Sequence, residues 1–188
     1  MKRNTFTLIE ILGVVAIIGI LAALGFAGYS YANGKARESA TQGLITRLNA
    51  AFEFARQKSG FIPPAKDGFV KIQIDTDNKK ITIGSNTPYT YSASATGKNK
   101  MYSEFYRHFV KSLEMDSMNR FLDGTEVIDS WGNAIYFRYP GVLNKGGFDL
   151  ISAGSDGAFG TGAATTPGDA LTDYRDGAEW ICDDIANF

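Results

Sequence analysis

Phe6-Thr7-Leu8-Ile9-Glu10-Ile11-Leu12-Gly13-Val14-Val15-Ala16-Ile17-Ile18 opens a run that continues to Tyr29 with Glu10 as its single charge. The 19 residues from Ile11 to Tyr29 are uncharged and mostly aliphatic. That is close to the roughly 20 needed to cross a hydrocarbon core about 30 Å thick. A carboxylate within such a helix costs on the order of 2.5–3.5 kcal/mol at the bilayer centre and less near the interface, so Glu10 calls for a partner or a task. One partner is local. Thr7-Leu8-Ile9-Glu10 has the spacing of a capping box, in which two side chains satisfy backbone donors at a helix start, and a carboxylate there suits the helix dipole. The other is a second chain. Cleavage before Phe6 would create a positive amine one turn from Glu10, and a neighbouring copy shifted along the axis would bring that amine against the carboxylate. Such a pair sets the stagger between subunits of a filament.

Helical periodicity continues beyond the span. Ala36, Ala40, Leu44, Leu48, Ala51, Phe52 and Ala55 recur at three- and four-residue spacing, with Lys35, Arg37, Glu38, Arg47, Glu53 and Arg56 mostly on other faces. The pattern predicts one helix from about Phe6 to Lys58, apolar all round at first and amphipathic later. Gly28, Gly34 and Gly43 are positions where it can bend. Ser59-Gly60 and then Pro63-Pro64 end it. Val70, Ile72 and Ile74, followed by Ile81 and Ile83, alternate with polar residues about Asp75 to Lys80 and predict a hairpin. The Ser/Thr/Gly/Asn-rich stretch from Ser85 to Lys100 predicts a loop with a short strand at Tyr89 to Tyr91. Phe105, Phe109 and Leu113 predict a short amphipathic helix, and Ala134 to Tyr139 and Phe148 to Ile151 two further strands. The expected fold class is α+β: a long N-terminal helix packed by its second half on a small antiparallel sheet, with a glycine-rich C-terminal loop.

Composition narrows the function. Of 188 residues, 19 are Lys or Arg and 20 Asp or Glu, for a net charge of −1, which favours neither nucleic acid nor an anionic surface. Cys182 is the lone cysteine and His108 the lone histidine, so the chain can form no internal disulfide and no multi-histidine metal site. Tyr102, Phe105, Tyr106, His108 and Phe109 beside Arg107 and Lys111 suit a core-facing helix better than base stacking. A secretory signal peptide is disfavoured: the apolar run exceeds the usual 7–15 residues or so, a charge lies at its start, and no small-x-small site ends it. Lys2 and Arg3 oppose Lys35 and Arg37 across the span, so charge alone leaves the orientation open.

Behind a short basic leader and before an aliphatic helix, Phe6-Thr7-Leu8-Ile9-Glu10 resembles the N-terminal signature of type IV pilins and type II secretion pseudopilins. The resemblance implies cleavage between Thr5 and Phe6 by a prepilin peptidase, N-methylation of Phe6, and pairing of Glu10 with the Phe6 amine of a neighbour. It implies a leader at residues 1–5, a membrane-spanning half of the helix at 6–30, and a periplasmic globular domain at 31–188 that includes the amphipathic half. The protein would sit in the bacterial inner membrane by a single pass, N-terminus cytoplasmic. Thr5 is a departure, because leaders of the family end in glycine and a β-branched residue hinders the extended fit a peptidase needs.

A second resemblance covers residues 129–188. Asp129-Ser130-Trp131-Gly132-Asn133, Phe148-Asp149-Leu150-Ile151-Ser152-Ala153-Gly154-Ser155-Asp156-Gly157, and Asp183-Asp184-Ile185-Ala186-Asn187-Phe188 look like the C-terminal half of the major pseudopilin. In that family this loop binds calcium. The resemblance puts Asp156, with the carbonyls of Ala153 and Ala158, and Asp183 or Asp184 at the metal, with Asp169 or Asp173 as substitutes in a stretch longer than the family's. From Asp149 onward the chain has eight acidic residues and one basic residue, Arg175. Calcium takes six to eight oxygens at about 2.3–2.6 Å, and a metal would tie down a glycine-rich tail that has no disulfide. A solvated acidic surface is the plainer alternative. Gly157-Ala158-Phe159-Gly160-Thr161-Gly162 lacks the Lys and the glycine order of a phosphate loop.

These features predict a non-enzymatic filament subunit of the pseudopilin kind. Its partners would be copies of itself and related subunits, the prepilin peptidase, an inner-membrane assembly platform and membrane lipid, with no nucleic acid. A true type IV or competence-type pilin, and a membrane-anchored enzyme or sensor, remain as alternatives.

Overall fold

The computed structural model describes residues 8–188, apart from 66–67, 76, 78–79, 84–88, 91–93, 95, 114–117, 169, 177–178 and 181. The chain divides into two units, residues 1–37 and residues 38–188. Helix α1, Leu8–Ser59, contributes to both. Gly28, Gly34 and Gly43 are helical residues within it. In the first unit the apolar side chains are exposed on every face, from Leu8 and Ile9 through Val14, Ile18 and Leu21 to Phe26. The most apolar 18-residue window of α1 has a mean hydropathy of 2.6, and by length and composition the helix can cross a membrane.

In the second unit α1 becomes one-sided. Thr41, Leu44, Ile45, Leu48, Ala51, Phe52 and Ala55 are buried, at helical spacing. Ile45 joins the expected stripe, Ala40 is half-buried, and Ala36, expected in the stripe, is exposed. Strands β1 (Val70–Asp75) and β2 (Lys80–Ile83) form the expected hairpin. Its register sets Ile72 against Ile83 and Ile74 against Ile81, so four isoleucines share the face toward the helix. Strand β3 (Tyr89–Thr90) pairs with β2, and α2 (Lys98–Leu113) buries Phe105, Phe109 and Leu113. Strands β4 (Leu122–Asp123) and β5 (Glu126–Val127) form a small hairpin that pairs with β1 through Gln73 and Glu126.

Among the described residues, the sheet runs β10-β7-β6-β1-β2-β3, all antiparallel, with β6 at Tyr136–Arg138, β7 at Asp149–Ser152 and β10 at Ile185–Ala186. A separate two-stranded hairpin joins β8 (Arg175–Asp176) to β9 (Glu179–Trp180). The α+β class holds, with the long helix on the antiparallel sheet.

At the β6-β7-β10 end both faces of the sheet are covered. Phe137, Leu150 and Ile185 point into the main core with α1, while Tyr136, Ile151 and Ala186 point the other way. There they meet a second, smaller core built on Phe159 and Tyr174, with Phe188 and Cys182 packed against it. All four residues of β7 are buried. The glycine-rich segment is thus held by an apolar core of its own, a tie the sequence did not reveal.

Candidate functional site

Thr5 and Phe6 lie outside the described residues, as does the Thr7 of the capping box. Glu10 lies in the first turn of α1 and is exposed. It is set in a helix whose other side chains near it are aliphatic and also exposed. A helix apolar on all sides needs either lipid or other helices around it.

The acidic loop is built on three carboxylates. Asp183 Oδ2 accepts hydrogen bonds from the Ser155 backbone N–H (2.6 Å), the Ser155 hydroxyl (2.6 Å) and the Asp156 N–H (3.1 Å). Burial works against its charge, but these donors hold its pKa below the ordinary value. Asp156 Oδ1 accepts from the Ala158 N–H at 2.8 Å, closing the turn on itself. Asp184 is buried; its Oδ2 accepts from the Gly160 N–H at 2.7 Å, and its Oδ1 meets no N–H or O–H donor among the described residues. Burial, then the charges of Asp183 and Asp156, push Asp184 up to about 6, against the pull of the Cys182 thiol and the Gly160 N–H.

Two glycines make this approach possible. Gly154 (φ 66°) would, with a Cβ, come within 2.8 Å of the Asp183 carbonyl carbon, and Gly160 (φ 69°) within 2.8 Å of the Asp173 carbonyl oxygen. Both adopt a left-handed conformation and leave no room for a side chain.

The structure therefore brings Asp156, Asp183 and Asp184 to one loop, flanked by Ala153 and Ala158. Asp173 turns elsewhere, accepting from the Ala170 N–H at 3.4 Å, and Asp169 lies outside the described residues. Among the described residues, no three of His, Cys, Asp and Glu converge as a ready ligand group. What fits a cation is narrower: a buried carboxylate oxygen with no N–H or O–H donor among the described residues, close enough to Asp183 and Asp156 for their charges to raise the pKa of Asp184. That donor set is all oxygen, the kind that suits calcium.

Behind the loop stands a support that sequence reasoning did not identify. Asp129, itself buried, accepts at Oδ1 from the Trp131 and Asn133 N–H groups (both 2.8 Å) and at Oδ2 from the Ser152 hydroxyl (2.6 Å). Asn133 then donates to the Gly154 carbonyl at 2.9 Å, and the Ser130 N–H donates to Thr41 Oγ1 of α1 at 3.1 Å. An Asp whose carboxylate takes the N–H two residues on is an Asx turn, so part of this was legible in the sequence.

Residues 2–26 match the family model of the prokaryotic N-terminal methylation motif. The chain is 28% identical over 159 residues, 85% of its own length and 88% of the relative's, to the type II secretion system core protein G of Pseudomonas aeruginosa. These two matches bear out the likeness to the pseudopilins drawn from the sequence. No solved structure matches the chain significantly.

Proposed function

We propose that this chain is a pseudopilin, a structural subunit of a type II secretion system that assembles through its N-terminal helix to drive protein export across the outer membrane. The observation that carries this is the methylation motif leading into a helix apolar on every face, in a chain alignable over 85% of its length with a secretion core protein. Its role is mechanical rather than enzymatic. Deletion in the native host is the test: loss of secreted enzymes supports the assignment. Loss of surface fibres or of DNA uptake with secretion intact points instead to a type IV or competence-type pilin, which shares the N-terminal motif.

Maturation follows as part of the same proposal. A prepilin peptidase cuts between Thr5 and Phe6, Phe6 is N-methylated, and the globular part stands on the periplasmic side of the inner membrane. The new amine of one subunit then meets Glu10 of the next, which lowers the cost of both charges in lipid. Mass spectrometry of the protein from its native membrane checks the cut; an intact Met1–Thr5 leader rules it out. Partners in this scheme are other pseudopilins, the peptidase, the assembly platform and lipid.

Calcium is the proposed cofactor, held by Asp156, Asp183 and Asp184 with the carbonyls of Ala153 and Ala158. When bound it supplies positive charge to a loop whose carboxylates repel one another. The Oδ1 of Asp184 supports this, because that buried oxygen meets no N–H or O–H donor among the described residues and a cation would satisfy it. Full-length protein in detergent should melt several degrees higher with calcium than with chelator, as about 100-fold saturation stabilises by roughly 2.7 kcal/mol. Identical melting curves would remove the cofactor from the proposal.

A further inference from the structure

Asn187 occupies an unusual position between three elements. Its side-chain oxygen accepts from the Leu150 N–H at 2.8 Å, while its own N–H donates to the Leu150 carbonyl at 3.2 Å. The side chain thereby adds a rung to the β10–β7 ladder just beyond Ile185–Ala186. Its amide nitrogen donates twice more, to the Phe148 carbonyl at 3.1 Å and to Asn49 Oδ1 on α1 at 3.0 Å. One side chain thus ties the C-terminal segment to the sheet and to the helix together. Four and three residues earlier in the chain are Asp183 and Asp184, whose carboxylates hold the turn at 155–160.

We propose that Asn187 is a latch that couples the acidic loop to α1, so that the order of the loop is transmitted to the helix through the Asn187–Asn49 hydrogen bond. Asp183 and Asp184 anchor the segment 182–186, that segment sets the register of β10 against β7, and the register places Asn187 against Asn49. A β-ladder has discrete registers, because a slip by one residue turns every side chain to the other face. The coupling is therefore two-state: either Asn187 reaches both Leu150 and Asn49, or it reaches neither. Ile185 also packs in the main core with α1, but that contact is apolar and non-directional and does not depend on Asn49.

Hydrogen exchange on the full-length chain in detergent tests the latch, with chelator present throughout so that the outcome is independent of any cation. Asp183→Asn weakens the loop anchor. Amide exchange should rise at residues 182–188, and also, about tenfold, at residues 46–53 of α1, in keeping with couplings measured between residues that share one network. In an Asn49→Ala background the rise at 182–188 should persist and the rise at 46–53 should vanish. Asn49 takes no part in the β-ladder, so this variant keeps the sheet intact. Asn187→Asp, which retains an acceptor for Leu150 but loses the amide donors, should by itself loosen 46–53. An unchanged α1 in Asp183→Asn overturns the proposal. So does an equal rise at 46–53 with and without Asn49, which would mean that the core alone transmits the effect.

Discussion

Asp149 is fully buried and takes three backbone donors, the N–H groups of Val142 and Leu143 at Oδ2 and of Asn144 at Oδ1, at 2.8, 3.1 and 2.6 Å. It organises the turn between β6 and β7. Asp149→Ala strands all three donors, and each orphan costs about 1–3 kcal/mol. The substitution should lower the unfolding free energy by about 3 kcal/mol or more, read by urea titration of tryptophan fluorescence. Asp149→Asn, which keeps one acceptor, should cost less. Cys182 gives a second test at this scale. Burial, then the Asp184 carboxyl, pushes its thiol up to about 12, and its S–H donates to the Tyr174 carbonyl at 3.7 Å. Folded protein near pH 8 should resist alkylation by iodoacetamide, and urea-unfolded protein should react readily. Asp184 sets a pH trend. Its pKa is about 6 when folded against an ordinary 3.8, so in that interval the folded chain holds a proton that the unfolded chain has released. Its contribution to stability is greatest below 3.8 and falls as pH rises through about 6. Asp183, shifted downward, acts oppositely: its contribution is present above its ordinary value and is lost as pH falls. In chelator the melting temperature should therefore decline from about pH 4 to about pH 6, and Asp184→Asn should flatten that decline.

At the scale of elements, one aromatic ring of the buried α1 stripe meets several elements of the domain at once. Phe52 lies 4.6 Å from both Phe109 and Phe137, 5.2 Å from Phe148 and 5.9 Å from Phe105, so a single helix position touches α2, β6 and the start of β7. Phe52→Ala should destabilise the domain by about 3–5 kcal/mol in a denaturant titration, whereas Gln42→Ala, on the exposed side of the same helix, should fall within about 0.5 kcal/mol. Phe52 was legible because a six-turn amphipathic stripe repeats its signal many times. The β1–β2 hairpin was legible for the same reason, as Ile72, Ile74, Ile81 and Ile83 display the two-residue period within one short stretch. The β4–β5 hairpin and β10 were not. Each of these strands has only two residues, too few to show a period, and β10 pairs with a strand more than thirty residues away. The early start of α2 at Lys98 was missed because its first turn is polar and carries no stripe.

For the whole molecule, the N-terminal half was the easiest part to interpret and the C-terminal third the hardest. A long apolar run carries its meaning in composition alone. The glycine-rich tail hides its order in two scattered aromatic residues, Phe159 and Tyr174, which share a buried cluster with Ile151 of the sheet. Asp156 and Asp183 do meet in one turn, but the hydrogen bonds of Asp129 to Ser152 and of Asn133 to Gly154 beside it were not apparent from spacing. Assembly is the property of the molecule to test at this scale. Glu10→Ala should leave the melting temperature of the domain unchanged, because Glu10 lies in the first unit, and should abolish or strongly reduce filaments in cells, scored by crosslinking and electron microscopy. Filaments at the level of the unmodified chain would show that helix packing alone sets the stagger.

The polar contacts that close the domain reach far along the chain: Ser130 to Thr41 across 89 residues, and Asn187 to Asn49 across 138. Ribosomes add about 5–20 residues per second, so α1 waits on the order of ten seconds before its last partner is made. Until residues 105–148 have been made, Leu44, Leu48 and Phe52 lack the aromatic rings of the core, and their stripe is a sticky surface. Folding speed suffers too, since distant contacts must close large loops before they stabilise anything. The period between synthesis of residue 52 and of residues 105–148 is therefore when this stripe most needs a chaperone to keep copies apart.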